Sequence, residues 1–206
     1  MDPIPESDDI QCFNRWAGTY EKSVAQFFID RLHRDVLDMV GKQAVDNSPG
    51  AIADIGCGTG RLLRSAGKRW PAARLIGVDH SPGMLDVARR LTPAGVFYAG
   101  SAEALPLPDN SVEAAFSTLS IHHWTEPSKG VQEIVRILRP GGTFCLADIR
   151  GPGVLSIVFN HFKFNRSETW NALFSQAGLT VLALERPLAG FGLIMLGKKG
   201  TSPLMQ

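Results

Sequence analysis

The chain alternates between short apolar runs and longer stretches in which apolar residues recur at helical spacing. Five apolar runs have the length of buried strands: 51–55, 74–78, 96–99, 112–117 and 143–149. Five stretches repeat apolar residues every three or four positions, which predicts amphipathic helices: 23–40, 61–70, 82–91, 125–138 and 167–177. Two final strands, 179–185 and 191–196, are joined by a five-residue link that suits an antiparallel pair.

Residues that start and stop helices support several of these boundaries. Ser81 followed by Pro82 is typical of a capped helix start with proline at the first helical position. Thr125 is expected to cap the next helix, and the stretch 139–142 (Arg-Pro-Gly-Gly) is expected to end it. Gly178 predicts the end of the last helix.

The alternation of strands and helices predicts an α/β fold. It consists of a parallel sheet with helices on both faces, finished by a hairpin. In such sheets ligands lie beyond the carboxyl ends of the strands, where the strand order reverses. Functional residues are therefore expected in the segments that directly follow strands: 56–60, 79–81, 100–103, 117–124 and 148–153.

Length and composition limit the classes of protein that remain. The 206 residues have room for one full domain, are 44% hydrophobic and 20% charged, and carry a net charge of +1. This balance argues against a nucleic-acid partner. Three cysteines without CxxC spacing argue against disulfides and a zinc site, and they fit a reducing compartment. The acidic N-terminus and the absence of an apolar run of about 20 residues predict a cytoplasmic chain with no membrane partner.

The clearest chemical signal is a glycine-rich loop after the first strand. Residues 54–60 read Asp-Ile-Gly-Cys-Gly-Thr-Gly and lead into a helix. Glycines let a ligand approach the backbone closely, and the N–H groups at the helix start favour an anion. Arg61 stands where a dinucleotide fingerprint requires its third glycine. The loop indicates nucleotide or nucleoside binding, with a purely structural turn as the alternative.

An acidic residue at the end of the second strand adds to this signal. Asp79 lies nineteen residues after Gly60, where a carboxylate can accept both hydroxyls of a ribose. An acid in this place can also be a helix cap or a solvated charge. Together with the glycine loop, Asp79 supports a ribose hypothesis.

Four stretches in order give the chain a family resemblance: 53–60 (ADIGCGTG), 77–81 (GVDHS), 100–106 (GSAEALP) and 136–142 (RILRPGG). Together they resemble class I S-adenosylmethionine-dependent methyltransferases of the type 11 group, which includes the ubiquinone and menaquinone biosynthesis methyltransferases. The resemblance covers roughly residues 50–150. It implies a Rossmann-like, doubly wound, seven-stranded sheet in the order 3-2-1-4-5-7-6 with strand 7 antiparallel. It also implies S-adenosyl-L-methionine as cofactor and S-adenosyl-L-homocysteine as product. The domain is then expected over 46–200, with a helical segment over 1–45 that covers the site and a tail over 201–206.

The resemblance assigns cofactor contacts residue by residue. Asp54 and the backbone of 56–60 hold the methionine part, and Asp79 takes the ribose hydroxyls. His80 and Met84 flank the adenine, whose edge meets 101–103. Ser101 stands where many relatives have an acid, so its hydrogen bond to adenine lacks charge assistance. The implied cofactor set is Tyr20, Asp54, Gly56, Cys57, Gly58, Gly60, Asp79, His80, Met84, Ser101, Ala102, Glu103 and Ser117.

Aromatic and histidine residues are candidates for the rest of the site. In similar enzymes the segment that holds Phe13, Trp16 and Tyr20 closes over the cofactor; the alternative is a helix packed on the sheet edge. His122 and His123, after the fourth strand, are candidate catalytic bases, or they shape the pocket. A base here has to be neutral, because an imidazolium would repel the sulfonium.

Three further aromatic features can each be explained by structure rather than by function. Trp124 is interpreted as packing rather than as a substrate platform, and His33 is expected on the solvated face of its helix. The aromatic stretch 159–164 is either a substrate lid or a cover for the core.

These features predict methyl transfer to a small-molecule acceptor by in-line displacement, mainly through proximity and orientation. The alternatives are a methyltransferase of RNA or protein and a non-catalytic cofactor-binding partner subunit. The linker after the fifth strand is short, so the acceptor site is expected to use the N-terminal segment, this linker or a second subunit in a homodimer.

Overall fold

The computed structural model describes residues 8–22, 26–43, 48–149 and 167–201. The aromatic stretch 159–164 lies outside these ranges, as does the tail after residue 201. No helix within these ranges is both long and apolar enough to cross a membrane.

The described ranges contain six α-helices and seven strands. The helices are α1 (Asp8–Tyr20), α2 (Gln26–Gln43), α3 (Arg61–Arg69), α4 (Pro82–Leu91), α5 (Pro127–Ile137) and α6 (Ser167–Gln176). The strands are β1 (Ala51–Ile55), β2 (Arg74–Asp79), β3 (Val96–Ala99), β4 (Val112–Thr118), β5 (Leu138–Ile149), β6 (Leu179–Glu185) and β7 (Gly192–Lys199).

The seven strands form one sheet in the order β3-β2-β1-β4-β5-β7-β6. The pairs among β3, β2, β1, β4 and β5 are parallel, whereas β7 runs antiparallel to both β5 and β6. This confirms the predicted fold class and strand order. The order reverses at β1, which pairs with β2 on one side and β4 on the other. A crevice is expected at the carboxyl ends of these strands.

Side chains of β1 alternate between two apolar cores, one on each face of the sheet. Ile52 packs in the core covered by α2, α3 and α4, and Ile55 packs in the core covered by α5 and α6. The second core includes the fully buried Trp170 and a stacked pair, Phe144 and Phe174, whose ring centroids are 5.2 Å apart. Burial on both faces explains why β1 reads as a continuous apolar run.

The starts of α4 and α5 differ in how well the sequence predicted them. Ser81 caps α4 as expected, because its hydroxyl accepts a hydrogen bond from the Met84 N–H at 3.2 Å. Thr125 does not cap α5. That helix begins at Pro127, and Glu126 occupies the cap position without a side-chain hydrogen bond. The fixed φ of proline suits the first helical position and moves the start two residues along.

β5 begins earlier than its apolar run predicted. Leu138 already pairs with Val112, and the next pair joins Thr143 to Ala114, so residues 139–142 form an irregularity inside the strand. The Lys199 ammonium donates to the backbone oxygens of Leu138 (2.6 Å) and Val135 (2.8 Å). These carbonyls at the end of α5 are thereby satisfied by a residue from the last strand.

Candidate functional site

A cleft opens at the carboxyl ends of β1, β2 and β4, where the strand order reverses. Loops after β1, β2, β3 and β4 line it, and α1 and α2 contribute side chains from the N-terminal segment. Along the sheet, the cleft runs from the residues after β3, past β2 and β1, to the end of β4. It therefore follows the path that the parallel strands predict for a ligand.

The glycine loop forms the floor of the cleft after β1. Gly56 and Gly58 have φ values of 75° and 51°, in the left-handed region that favours glycine. A Cβ at Gly56 would collide with the Ser120 side chain, whereas a Cβ at Gly58 would meet no atom within 4 Å. Gly56 is therefore required by packing, and Gly58 presents bare backbone to the cleft.

Asp79 joins the glycine loop to the start of α4. Its Oδ2 accepts a hydrogen bond from the Gly58 N–H at 2.7 Å, and its Oδ1 accepts one from the Ser81 N–H at 2.8 Å. Burial raises the pKa of this carboxyl, and the two backbone hydrogen bonds oppose that shift. Each carboxylate oxygen keeps a further lone pair, so Asp79 can still accept from a diol in the cleft.

The cleft wall after β2 and β3 is apolar with a polar rim. Met84 is buried, and it packs against Ala17 of α1. Ala102 is also buried, while Ser101 and the exposed His80 lie at the rim. Glu103 accepts a hydrogen bond from the Glu126 N–H at 3.1 Å. This wall can hold a flat aromatic ring and offer polar groups to its edge.

Asp54 is a buried carboxyl whose hydrogen bonding is incomplete. It is 1% exposed and lines the cleft, and its Oδ1 has no hydrogen-bond partner among the described residues. Burial, with the nearby Asp79 charge as a second cause, raises the pKa of Asp54 to about 8. A cation in the cleft would favour the charged form and lower this pKa.

A network of charged residues fastens the N-terminal segment to the loop after β1. Glu21 accepts hydrogen bonds from the Thr59 hydroxyl (2.5 Å), Arg61 (2.5 Å) and Arg64 (2.8 Å). Arg61 also donates to both carboxylate oxygens of Asp30, at 2.7 and 2.9 Å, and these bonds lower the pKa of Asp30. We call these five residues the N-terminal latch. The latch holds α2 beside the glycine loop.

α1 also reaches the cleft with aromatic side chains. Phe13 meets the His123 ring edge-on with a centroid distance of 5.1 Å, and Trp16 meets Tyr20 in the same way at 4.9 Å. Phe13 and Tyr20 line the cleft, and burial raises the pKa of the Tyr20 hydroxyl. The helix packs on α4 rather than on the sheet edge, and it lines one side of the cleft.

His33 contradicts the sequence prediction. It is 5% exposed and lines the cleft, rather than lying on a solvated face. Its Nε2 lies 3.2 Å from the Thr118 hydroxyl at the end of β4, and its Nδ1 has no hydrogen-bond partner among the described residues. The prediction was wrong because His33 shares a helix face with Ile29 and Val36, one turn away on either side, and both are buried.

His122 and His123 lie in a short 3-10 turn after β4 and have different surroundings. The Nδ1 of His122 lies 2.9 Å from the Oδ2 of Asp148, a carboxylate that is 3% exposed and also accepts from the Ile149 N–H. His123 is more exposed and lines the cleft. The Asp148 contact fixes the orientation of the His122 ring, and a histidine oriented by a carboxylate is an arrangement that general bases use.

Most of the sequence-predicted site residues meet in one cleft. Those lining it are Tyr20, Asp54, Gly56, Cys57, Gly58, Asp79, His80, Met84, Ser101, Ala102, Glu103 and His123. Gly60, Ser117 and His122 do not line it. Gly60 faces α4, where a Cβ would lie 3.3 Å from Ala88, and Ser117 is fully buried within β4. The buried Trp124 packs on Gly130, where a Cβ would collide with its ring, in agreement with a packing role.

The sequence prediction missed His33 as part of the site and did not single out Thr118 or Asp148. Thr118 and Asp148 did fall in segments expected to be functional, 117–124 and 148–153. The apolar spacing of α2 around His33 was a further signal, because the histidine interrupts an otherwise apolar face. Nothing in the local pattern links His33 to Thr118, which lies 85 residues further along.

Comparison with known proteins agrees with this geometry. The family model of the type 11 methyltransferase domain matches residues 53–146, which hold β1 to β5 and most of the cleft. A malonyl-acyl-carrier-protein O-methyltransferase of Serratia marcescens is 32% identical over 151 residues, which are 72% of this chain and 55% of the relative. The chain spans about half the length of the curated relatives of this name that it matches.

Solved structures share the fold. A Haloferax volcanii methyltransferase, in complex with the Trm112 methyltransferase activator, superposes with a TM-score of 0.78 at 23% identity, over 91% of this chain and 97% of that chain. An S-adenosylmethionine-dependent methyltransferase from Thermotoga maritima superposes with a TM-score of 0.69 at 22% identity, over the same shares.

The fold and the family model together define the class. The chain carries a methyltransferase domain of the S-adenosylmethionine-dependent class I type. Within that class, residues 53–146 match the type 11 methyltransferase domain, a family whose cofactor is S-adenosylmethionine.

Proposed function

We propose that this protein transfers a methyl group from S-adenosylmethionine to a small-molecule acceptor. The observation that carries the proposal is the position of Asp79. Its half-buried carboxylate joins the bare backbone of Gly58 to the start of α4 and keeps lone pairs for a ribose diol. Asp54 supports the proposal, because a buried carboxyl with an unpartnered oxygen fits a ligand that carries positive charge.

The cofactor supplies a methyl group on a sulfonium, an already activated electrophile. The chain's own residues then have to bind, align and exclude water. The wall around Met84 and Ala102 would hold the adenine, and Asp79 the ribose. Alignment of the acceptor at about 3–3.5 Å from the methyl carbon supplies most of the rate enhancement.

Proton removal falls to His122 where the acceptor carries a proton. The Asp148 carboxylate accepts the Nδ1–H of His122 at 2.9 Å and so fixes the orientation of the ring. Nε2 is then the nitrogen that takes a proton from a hydroxyl or amine acceptor. His123 lines the cleft and meets the Phe13 ring edge-on. We therefore assign the base role to His122 and pocket shaping to His123.

Two observations point to two different classes of methyl acceptor. A matched relative carries the name malonyl-acyl-carrier-protein O-methyltransferase, so acyl thioesters with a free carboxylate are the first acceptors to test. A carboxylate needs no base, because it is already deprotonated at neutral pH. The oriented His122 favours acceptors with a hydroxyl or amine, and the two classes are separable by experiment.

The test combines binding with transfer of a labelled methyl group. Calorimetry with S-adenosylhomocysteine is expected to show one site, which Asp79→Ala weakens strongly. Labelled S-adenosylmethionine is then incubated with the protein, a metabolite extract and a malonyl thioester. Label in a low-mass product supports the proposal. Label only in RNA or protein, or tight binding without any transfer, contradicts it in favour of the two alternatives, and absence of binding contradicts it entirely.

A further inference from the structure

We propose that His33 is the residue that binds the amino-acid end of the cofactor, from the N-terminal segment. The inference deepens the proposed function and rests on it. It starts from a buried polar atom that lines the cleft and has no partner among the described residues, the Nδ1 of His33.

The position of His33 along the cleft determines which part of the ligand it meets. The sheet order is β3-β2-β1-β4, and the adenine wall lies after β2 and β3. His33 contacts Thr118, which ends β4, and so lies at the opposite end. A nucleoside anchored by its ribose at Asp79 extends its 5′ substituent away from its base. In this cofactor that substituent carries the ammonium and the carboxylate.

The chemistry of His33 suits a zwitterionic group. Burial lowers the pKa of His33 to about 4. The Asp30 and Glu21 charges oppose this shift, and the Arg61 and Arg64 charges add to it. The ring is therefore neutral at pH 7 and has one N–H donor and one acceptor nitrogen. Thr118 occupies Nε2, which leaves Nδ1 to donate to a carboxylate or accept from an ammonium.

The charged residues around His33 pair with one another rather than with its ring. Arg61 and Arg64 are engaged by Glu21 and Asp30 of the N-terminal latch, at distances of 2.5 to 2.9 Å. A hydrogen bond to the cofactor gives a partner to Nδ1 of His33, an atom that is otherwise buried without one among the described residues. A buried polar atom without a hydrogen bond destabilises a protein.

Two ligands separate this role from a structural one. S-adenosylhomocysteine has the amino-acid end, and 5′-methylthioadenosine keeps the adenosine and sulfur but lacks it. His33→Leu is expected to lower the affinity for S-adenosylhomocysteine by about tenfold or more, as measured by calorimetry. The affinity for 5′-methylthioadenosine should fall by less than about twofold. Binding of 5′-methylthioadenosine also reports that the variant is folded.

Two conservative variants sharpen the test. The amide of His33→Asn places a polar atom near the Nδ1 position, and it is expected to restore most of the affinity for S-adenosylhomocysteine. His33→Gln places its amide near Nε2, toward Thr118, and is expected to restore little. Val36→Ala, a substitution in the buried face of α2 away from the cleft, is the control for damage to the helix. Val36→Ala is expected to leave the affinity for both ligands unchanged.

The results distinguish this inference from the proposed function. If His33→Leu lowers the affinity for both ligands equally, or for neither, the proposed role of His33 is wrong. The methyltransferase proposal would remain intact. Failure of the unaltered protein to bind either ligand would instead remove the proposed function itself.

Discussion

The two ends of the cleft are built in different ways. The proposed adenosine end uses residues that follow β2 and β3, and its contacts link neighbouring loops, such as Gly58 with Asp79, 21 residues apart. The opposite end depends on the N-terminal segment, through pairs as distant as His33 and Thr118, 85 residues apart. The adenosine end is therefore a property of the sheet and its loops. The other end depends on how α2 packs against the sheet, because α2 carries His33 to the end of β4.

Asp79→Ala tests the adenosine end and should have the largest effect. The substitution removes an acceptor of two backbone hydrogen bonds as well as the proposed ribose contact. Hydrogen bonds to a charged group contribute about 1.5–3 kcal/mol each, so the affinity for S-adenosylhomocysteine should fall by roughly 100-fold or more. Calorimetry measures this loss. Asp86→Ala, at an exposed position on α4, is the matched control, and an equal loss there would contradict the assignment.

His122→Ala tests the acceptor side next to β4. With a hydroxyl or amine acceptor, kcat should fall by about 100-fold, because a positioned base contributes about 10²–10⁴-fold. The affinity for S-adenosylhomocysteine should stay within about twofold, since His122 does not line the cleft. Asp148→Asn should lower kcat in the same direction and alter its pH profile. A carboxylate acceptor should show no such dependence, and unchanged kcat with every acceptor would rule out His122 as the base.

The charge state of Asp54 should make cofactor binding depend on pH. The pKa of Asp54 is raised to about 8 in the ligand-free protein, so the carboxyl is neutral below that pH and charged above it. Binding of a cation favours the charged form, so affinity for S-adenosylmethionine should rise with pH. We expect an affinity rise of roughly tenfold or more between pH 6.5 and 8, and a plateau from about one pH unit above the pKa. Asp54→Asn should flatten this profile, and a steep profile that survives the substitution would assign the proton to another group.

Arg61→Met tests the N-terminal latch and should have the smallest effect. Arg61 forms ion pairs with Glu21, which follows α1, and with Asp30 of α2. The Arg61 side chain is 22% exposed. Loss of these half-buried ion pairs should lower the free energy of unfolding by about 1 kcal/mol, measured by chemical denaturation. Arg89→Met breaks an exposed pair with Asp86 and should change stability by less than about 0.5 kcal/mol. Equal effects would mean that the latch adds nothing beyond a surface ion pair.

Local pattern was sufficient for most of the fold. The bounds of β3 and β6 matched their apolar runs, and Ser81 capped α4 as predicted. Errors arose where a partner strand or a proline decided the boundary. Leu138 became the first residue of β5 because it pairs with Val112, and Pro127 rather than Thr125 decided the start of α5.

Residues in contiguous motifs were predicted to lie near one another, and the structure places them in one cleft. Asp54, Gly58 and Asp79 lie in loops whose direction the parallel strands already determine, and all three line the cleft. Prediction failed for His33, because its burial depends on the rotation of α2 about its axis, which neighbouring elements set. It also did not distinguish His122 from His123, since only the carboxylate of Asp148, on another strand, makes the two rings unequal.

The sequence by itself determined the class of fold, the strand order through its family resemblance, and the adenosine end of the cleft. Those features depend on short-range patterns that each element carries with it. Only the tertiary structure decided which side chains close the other end. There, α2 brings His33 to Thr118 and β5 brings Asp148 to His122. Such contacts depend on how distant elements pack against one another, and no local spacing encodes that packing.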